Sequence, residues 1–262
     1  MTAPANPLVE QWRAVGLCEG DCLLLHANSL RAMVQLRRAG LPATPEMVLA
    51  SFLEAVGPEG TLLFPLFNFD FTRGVAFDIR HTPSQMGGLS EAARVHPSAV
   101  RTGHPIYSFA VIGKYSSRFV GLDNRSGYGA DSPFALLREL NGKIGLLDVA
   151  DQGAMTFYHH IEEMMAVDYR YMKTFLGDYI DAQGVSSTRE YCLYVRDLAR
   201  GVQTWVEPCG HWLAAEGYYH GDQPRQGSGL RWIYAREMFS VVSGLIAQGC
   251  AEGMLYRIDS GT

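Results

Sequence analysis

Four short runs of consecutive apolar residues constrain this chain more than any other feature: Cys22-Leu23-Leu24-Leu25, Thr61-Leu62-Leu63-Phe64-Pro65, Ser108-Phe109-Ala110-Val111-Ile112 and Lys143-Ile144-Gly145-Leu146-Leu147. A strand with one wet face alternates apolar and polar residues, so a run without alternation implies cover on both faces. Helical patterns lie between the runs. Leu8, Val9, Trp12 and Val15 recur at helical spacing. Thr44-Pro45 supplies an N-cap and a first-turn proline ahead of the stripe Met47, Val48, Phe52, Leu53 and Val56. Strand and helix in alternation predict a three-layer α/β/α architecture with a mixed central sheet. Further helices are expected over 133–140 and 240–251. The core sheet should end near Val149, and Tyr191-Cys192-Leu193-Tyr194-Val195 reads as an antiparallel strand. With 262 residues, 47% of them hydrophobic, and no linker, the chain reads as a single domain over 1–262 with a smaller mixed portion near 174–235.

The same composition excludes several classes. A net charge of −5 and a pI near 5.9, without a basic cluster, argue against nucleic acid or an anionic membrane surface as partner. Five scattered cysteines without a CxxC pair point to reduced thiols and a cytoplasmic setting. Neither an apolar leader nor a membrane-length apolar segment is present in the sequence given. Gly142-Lys143 lacks the rest of a phosphate-binding loop, and GxGxxG and GxSxG are missing, so dinucleotide redox chemistry and serine hydrolysis lose ground. Cys209, His211, His220 and Asp222 match no zinc spacing, and no metal is expected.

Chemistry concentrates in Thr156-Phe157-Tyr158-His159-His160-Ile161-Glu162-Glu163. In a helix, Glu162 and Glu163 both share a face with His159, three and four residues away. A carboxylate beside an imidazole fixes its tautomer and stabilises the imidazolium formed on proton uptake, which is general-base chemistry. The competing reading is a helix start capped by Thr156, with acids in its early turns.

Three loops add to this. Arg101-Thr102-Gly103-His104-Pro105-Ile106-Tyr107-Ser108 has the donors of an anion-contacting loop or is a turn before a strand. His26-Ala27-Asn28-Ser29 follows the first strand at its carboxyl end, where α/β sheets bind ligands. Phe67, Phe69, Phe71 and Phe77 crowd an aromatic loop that either lines a cleft or caps the core.

In order, these segments resemble the aminoglycoside 3-N-acetyltransferase family from about Gly20 to Ile246. The matching pieces are Leu25-His26-Ala27-Asn28-Ser29-Leu30, Gly60 to Pro65, Met86 to Glu91, Arg101 to Ser108, Gly129-Ala130-Asp131-Ser132-Pro133, Gly142-Lys143 and Thr156 to Glu162. The resemblance implies acetyl transfer from acetyl-CoA to an amine on a sugar-like ring, by direct attack on the thioester. It places the base on His159 and its orienting acid on Glu162. It puts Ser29 and Leu30 at the pantetheine thioester, and Arg101, His104, Tyr107, Ser108 and Thr156 around the coenzyme. Asn28 looks like one residue inserted into the family pattern, so His26 receives no role beyond lining that site.

For the acceptor, Phe67, Asn68, Glu163, Asp168, Tyr169 and Arg170 are the candidate contacts. An aminoglycoside is polycationic and calls for several carboxylates, whereas Arg170 and Lys173 interrupt the acids here. That mixture favours a nucleotide-linked aminodeoxy hexose, with Tyr169 and Tyr171 stacking on a base and Arg170 or Lys173 pairing with diphosphate. An aminoglycoside acceptor is the alternative, and a non-catalytic binding protein of the same fold a second one. Oligomeric state stays open, a homo-oligomer included.

Overall fold

The computed structural model describes residues 6–258. Its strands are β1 (Cys22–Ala27), β2 (Thr61–Pro65), β3 (Phe77–Asp78), β4 (Val100–Arg101), β5 (Phe109–Gly113), β6 (Lys143–Leu147), β7 (Arg170–Ile180), β8 (Ser186–Arg196), β9 (Val202–Thr204), β10 (His220–Gly221), β11 (Leu230–Tyr234) and β12 (Tyr256–Ile258). Its helices are α1 (Pro7–Ala14), α2 (Leu30–Arg38), α3 (Pro45–Val56), α4 (Gly88–Arg94), α5 (Pro133–Glu139), the single turn α6 (Asp151–Ala154), α7 (Phe157–Met164), α8 (Glu207–Ala215) and α9 (Ala235–Ala247).

Seven strands form the central sheet in the order β10-β11-β6-β1-β2-β5-β4. β1 runs parallel to both β2 and β6, while β5 and β11 lie antiparallel on the two flanks. The apolar runs behave as their lack of alternation requires. Leu23, Leu25, Leu62, Phe64, Ala110 and Ile112 face a layer of α1 to α4, built on Trp12, Leu36, Phe52 and Leu89. Leu24, Leu63, Phe109, Val111, Ile144 and Leu146 face the opposite layer of α5, α7, α8 and α9, through Phe134, Ile161, Leu213 and Val242. Successive side chains thus leave opposite faces of each strand, and both faces are dry.

Local signals account for several helix starts. Thr44 accepts the Met47 amide and Ser132 accepts the Ala135 amide, each with proline at the first helical position. The structure departs from the sequence reading in three places. The sheet continues past Val149: β11 pairs antiparallel with β6 from Leu230 opposite Leu147 to Tyr234 opposite Lys143. Arg231 hid this strand, because a charged residue in its middle is buried by pairing with Asp151 at 2.8 Å. The last helix begins five residues earlier than expected, at Ala235, and ends at Ala247. Tyr191–Val195 lies within a long ribbon, in which β7 and β8 pair from Arg170 opposite Arg196 to Ile180 opposite Ser186. No helix among the described residues is long and apolar enough to cross a membrane.

Candidate active site

Helix α7 carries the centre of the site. It buries Phe157, Tyr158, His160, Ile161 and Glu162 against the second layer, leaving His159 at the edge with 20% of its side chain exposed. His159 Nδ1 lies 2.8 Å from Glu162 Oε2, the three-residue pairing of a helix. With a carboxylate as acceptor, Nδ1 holds the proton and Nε2 keeps its lone pair. Glu163 is not the partner: its Oε2 accepts from Ser126 Oγ at 2.7 Å, and it lines neither cleft described below.

Arg170, at the start of β7, completes the arrangement. Its Nε approaches Glu162 Oε2 at 2.8 Å, Nη1 donates to the Tyr194 carbonyl at 3.0 Å, and Nη2 donates to Thr204 Oγ1 at 3.3 Å. Burial pushes the Glu162 pKa upward, but the Arg170 charge and the His159 hydrogen bond more than offset it, so the carboxyl stays below its ordinary range. Burial, aided by the Arg170 and Arg196 charges, lowers the His159 pKa against the opposing pull of Glu162. The ring is therefore neutral at pH 7. Tyr128 meets it edge-on, with ring centroids 5.2 Å apart.

Two clefts converge on this imidazole. One, of about 360 Å³, opens at the carboxyl ends of β1, β2 and β6 and is lined by His26, Ala27, Pro65, Val149, Met155 and Thr156 among others. The second, of about 370 Å³, runs along the β7–β8 ribbon past Tyr171, Lys173, Phe175 and Arg196. Tyr107, His159 and Thr204 border both. A neutral base at the junction of two clefts can take a proton from a molecule in one as it reacts with a molecule in the other.

Of the other residues singled out in the sequence, Phe67, Tyr107 and Thr156 line the strand-end cleft. Thr156 does not cap α7 through its side chain; its hydroxyl donates to the Ala154 carbonyl at 3.2 Å. The aromatic loop divides, with Phe67 and Phe69 on the cleft and Phe71 and Phe77 packed on Tyr191 and Tyr179. Within residues 101–108, Tyr107 borders both clefts, and its neighbours serve mainly to hold the backbone. Arg101 donates through Nη1 to the carbonyls of Ile79 and Thr82 and through Nε to Ser108 Oγ, and stacks over Phe77, tying down a loop, while its Nη2 is buried without a hydrogen-bond partner. His104 is fully buried, and its Nδ1 accepts the amides of Ile106 and Tyr107, while Ser108 is fully buried beside it.

Ser29 and Leu30 begin α2 outside both clefts, with Leu30 65% exposed. Asn68 is buried, donating to the Pro83 carbonyl and accepting the Asp70 amide. Asp168 points to solvent with its side chain 84% exposed, 3.5 Å from Arg200. Tyr169 is buried and stacked on Tyr256 at 3.9 Å, so it has no free face for a nucleobase. Arg170 borders the ribbon cleft but is committed to Glu162. The candidate metal ligands scatter: Cys209 is buried, His211 pairs with Glu207, His220 stacks on Trp232, and Asp222 accepts from Ser228.

Sequence reasoning missed Asp151, Arg196 and Thr204. Asp151 is buried beside the strand-end cleft, where its carboxylate accepts from the Tyr158 and Tyr219 hydroxyls at 2.8 Å each and from Arg231. Tyr158 is the neighbour of His159 on α7, so this cluster fixes the helix that holds the base. Only the long-range pairing reveals these roles; no local spacing signals them.

The family model described as aminoglycoside 3-N-acetyltransferase matches residues 33–246. A curated relative, aminoglycoside N(3)-acetyltransferase VII of Streptomyces paromomycinus, is 30% identical over 179 residues, covering 60% of this chain. The match spans 59% of that relative's own length. Among solved structures, aminoglycoside acetyltransferase AAC(3)-Xa superposes with a TM-score of 0.76 at 24% identity, covering 92% of this chain and 91% of that one. AAC-IIIb in its binary complex with CoASH gives 0.74 at 22% identity, covering 92% and 95%. With more than three quarters of its length matched by the family model, the chain belongs to the aminoglycoside 3-N-acetyltransferase family.

Proposed function

We propose that the protein is an acetyl-CoA-dependent N-acetyltransferase acting on an amine of an aminoglycoside-like amino sugar. The observation that carries this reading is the His159–Glu162–Arg170 arrangement at the meeting point of two clefts. The strand-end cleft, with Ala27, Val149 and Thr156 on its walls, takes the thioester arm, where ligands of open α/β sheets bind. The ribbon cleft takes the amine. His159 Nε2 removes the proton as the amine nitrogen bonds to the thioester carbonyl carbon, and the C–S bond then breaks to release the thiol. Glu162 holds the imidazole in the tautomer that leaves Nε2 free and stabilises its charged form.

The nucleotide-linked acceptor read from the sequence loses two of its four supports and keeps Tyr171 and Lys173, which line the ribbon cleft. Tyr169 is covered by Tyr256 and Arg170 is bound to Glu162, so neither is free to stack on a base or pair with a diphosphate. The relatives are named for aminoglycosides, and that class supplies the first acceptors to assay. The test is thiol release from acetyl-CoA with a panel of aminoglycosides and simpler amino sugars, repeated with His159→Ala. Amine-dependent release that falls at least ~100-fold in the variant supports the reading, on the usual scale of general-base catalysis. Unchanged turnover in the variant removes His159 from the mechanism.

A further inference from the structure

The ribbon cleft has an unusual charge. Among the described residues, its lining contains Arg170, Lys173 and Arg196 and no aspartate or glutamate. Arg170 is neutralised by Glu162, but Lys173 and Arg196 have no carboxylate partner among the described residues. The strand-end cleft does not make up the deficit. The one acidic residue lining it among the described residues, Asp151, is already held by Arg231 and two tyrosine hydroxyls. A molecule carrying several ammonium groups would therefore meet two uncompensated cations in the ribbon cleft, and no free carboxylate among the described residues lining either cleft. The Arg196 charge reaches the reacting centre, where it adds to the burial and the Arg170 charge that lower the His159 pKa.

We propose that the acceptor is an amino sugar bearing an acidic group, a phosphate or a carboxylate, which Lys173 and Arg196 engage in the ribbon cleft. This rests on the reading of the chain as an N-acetyltransferase and narrows its substrate. Lys173 on β7 and Arg196 on β8 both line this cleft and are exposed, three residues apart along the ribbon, since Lys173 lies opposite Leu193 and Arg196 opposite Arg170. Coenzyme A also carries phosphates, which are the other source of the same chemistry. The strand-end cleft is the separate route by which the coenzyme arm reaches His159, and it leaves the ribbon cleft to the acceptor.

The experiment compares glucosamine, glucosamine 6-phosphate and a kanamycin-type aminoglycoside as acceptors, and measures equilibrium binding of glucosamine 6-phosphate and of CoA. A Lys173→Glu/Arg196→Glu double variant is carried through both arms. The expected result is a kcat/KM at least ~10-fold higher for glucosamine 6-phosphate than for glucosamine, with the order reversed in the double variant and CoA affinity unchanged. A wild-type preference for the polycation overturns the proposal. So does loss of CoA affinity in the double variant, which would give the two cations to the coenzyme. If no acceptor releases thiol, the acetyltransferase reading fails, and the binding arm still decides: glucosamine 6-phosphate affinity lost on charge reversal supports the acidic-group site, and affinity unchanged overturns it.

Discussion

Glu162 Oε2 lies 2.8 Å from Arg170 Nε, with the carboxylate wholly buried and the guanidinium nearly so. The same oxygen is 2.8 Å from His159 Nδ1. One buried carboxylate thus serves a fixed cation on one side and a titrating imidazole on the other. The cation keeps the carboxylate ionised in a place where burial alone would protonate it.

Removing the carboxylate should cost stability as well as activity. Glu162→Ala leaves Arg170 buried without its counter-ion, a change worth about 3–5 kcal/mol. Arg170→Met in the same chain takes away the stranded charge, so the double variant should be more stable than Glu162→Ala alone. Urea unfolding of the two single variants and the double variant checks this; additive losses would show that the two groups are not coupled.

Activity should depend on pH through the imidazole. A base must be neutral to accept a proton, and the His159 pKa lies below 6.5, so kcat/KM should rise on an acid limb centred below 6.5 and then level off. Arg196 is one of the charges holding that value down, so Arg196→Met should move the limb upward, toward 6.5. A limb that stays in place would mean that the Arg196 charge does not reach the base.

How far the sequence disclosed this site follows from the range of each interaction. His159 and Glu162 were legible because their pairing is a three-residue relation on one helix. The buried strands were legible because each carries a run of consecutive apolar residues with no alternation. Arg170 was visible as a residue, but its partner lies on another element, and sequence offered it to a diphosphate instead. Arg101 and His104 had the composition of an anion site and turned out to brace backbone, since an arginine or histidine can spend its hydrogen bonds on either. Arg196, Asp151 and β11 depend on contacts between distant segments and left no local signal.

The cluster that steadies α7 predicts a sensitive glycine. A Cβ on Gly210 would fall 2.4 Å from Asp151 Cγ, in a site where Tyr158, Tyr219 and Arg231 leave the carboxylate no room to move. Gly210→Ala should destabilise the protein by about 1–3 kcal/mol, the usual range for overpacking. It should also lower kcat, because Tyr158 adjoins His159. Thermal melts and thiol-release rates on the same preparation test both; a variant with wild-type stability would mean that Asp151 can shift.

Acid should unfold this protein through its buried histidines. Burial lowers the pKa of His26 and His160 to about 4 and of His104 to about 3, from 6.5 in the unfolded chain. The unfolded state therefore binds more protons between pH 6.5 and those values, so this share of the stability is intact above 6.5 and is lost progressively as pH falls toward 4 and 3. His104→Asn isolates one of the three. The amide oxygen can take over from Nδ1 as acceptor for the Ile106 and Tyr107 amides, and it does not titrate. Unfolding free energies measured at several pH values from 7 to 4.5 should fall less steeply in the variant, by up to about 1.4 kcal/mol per pH unit. Parallel slopes would show that the buried imidazole is not what acid attacks.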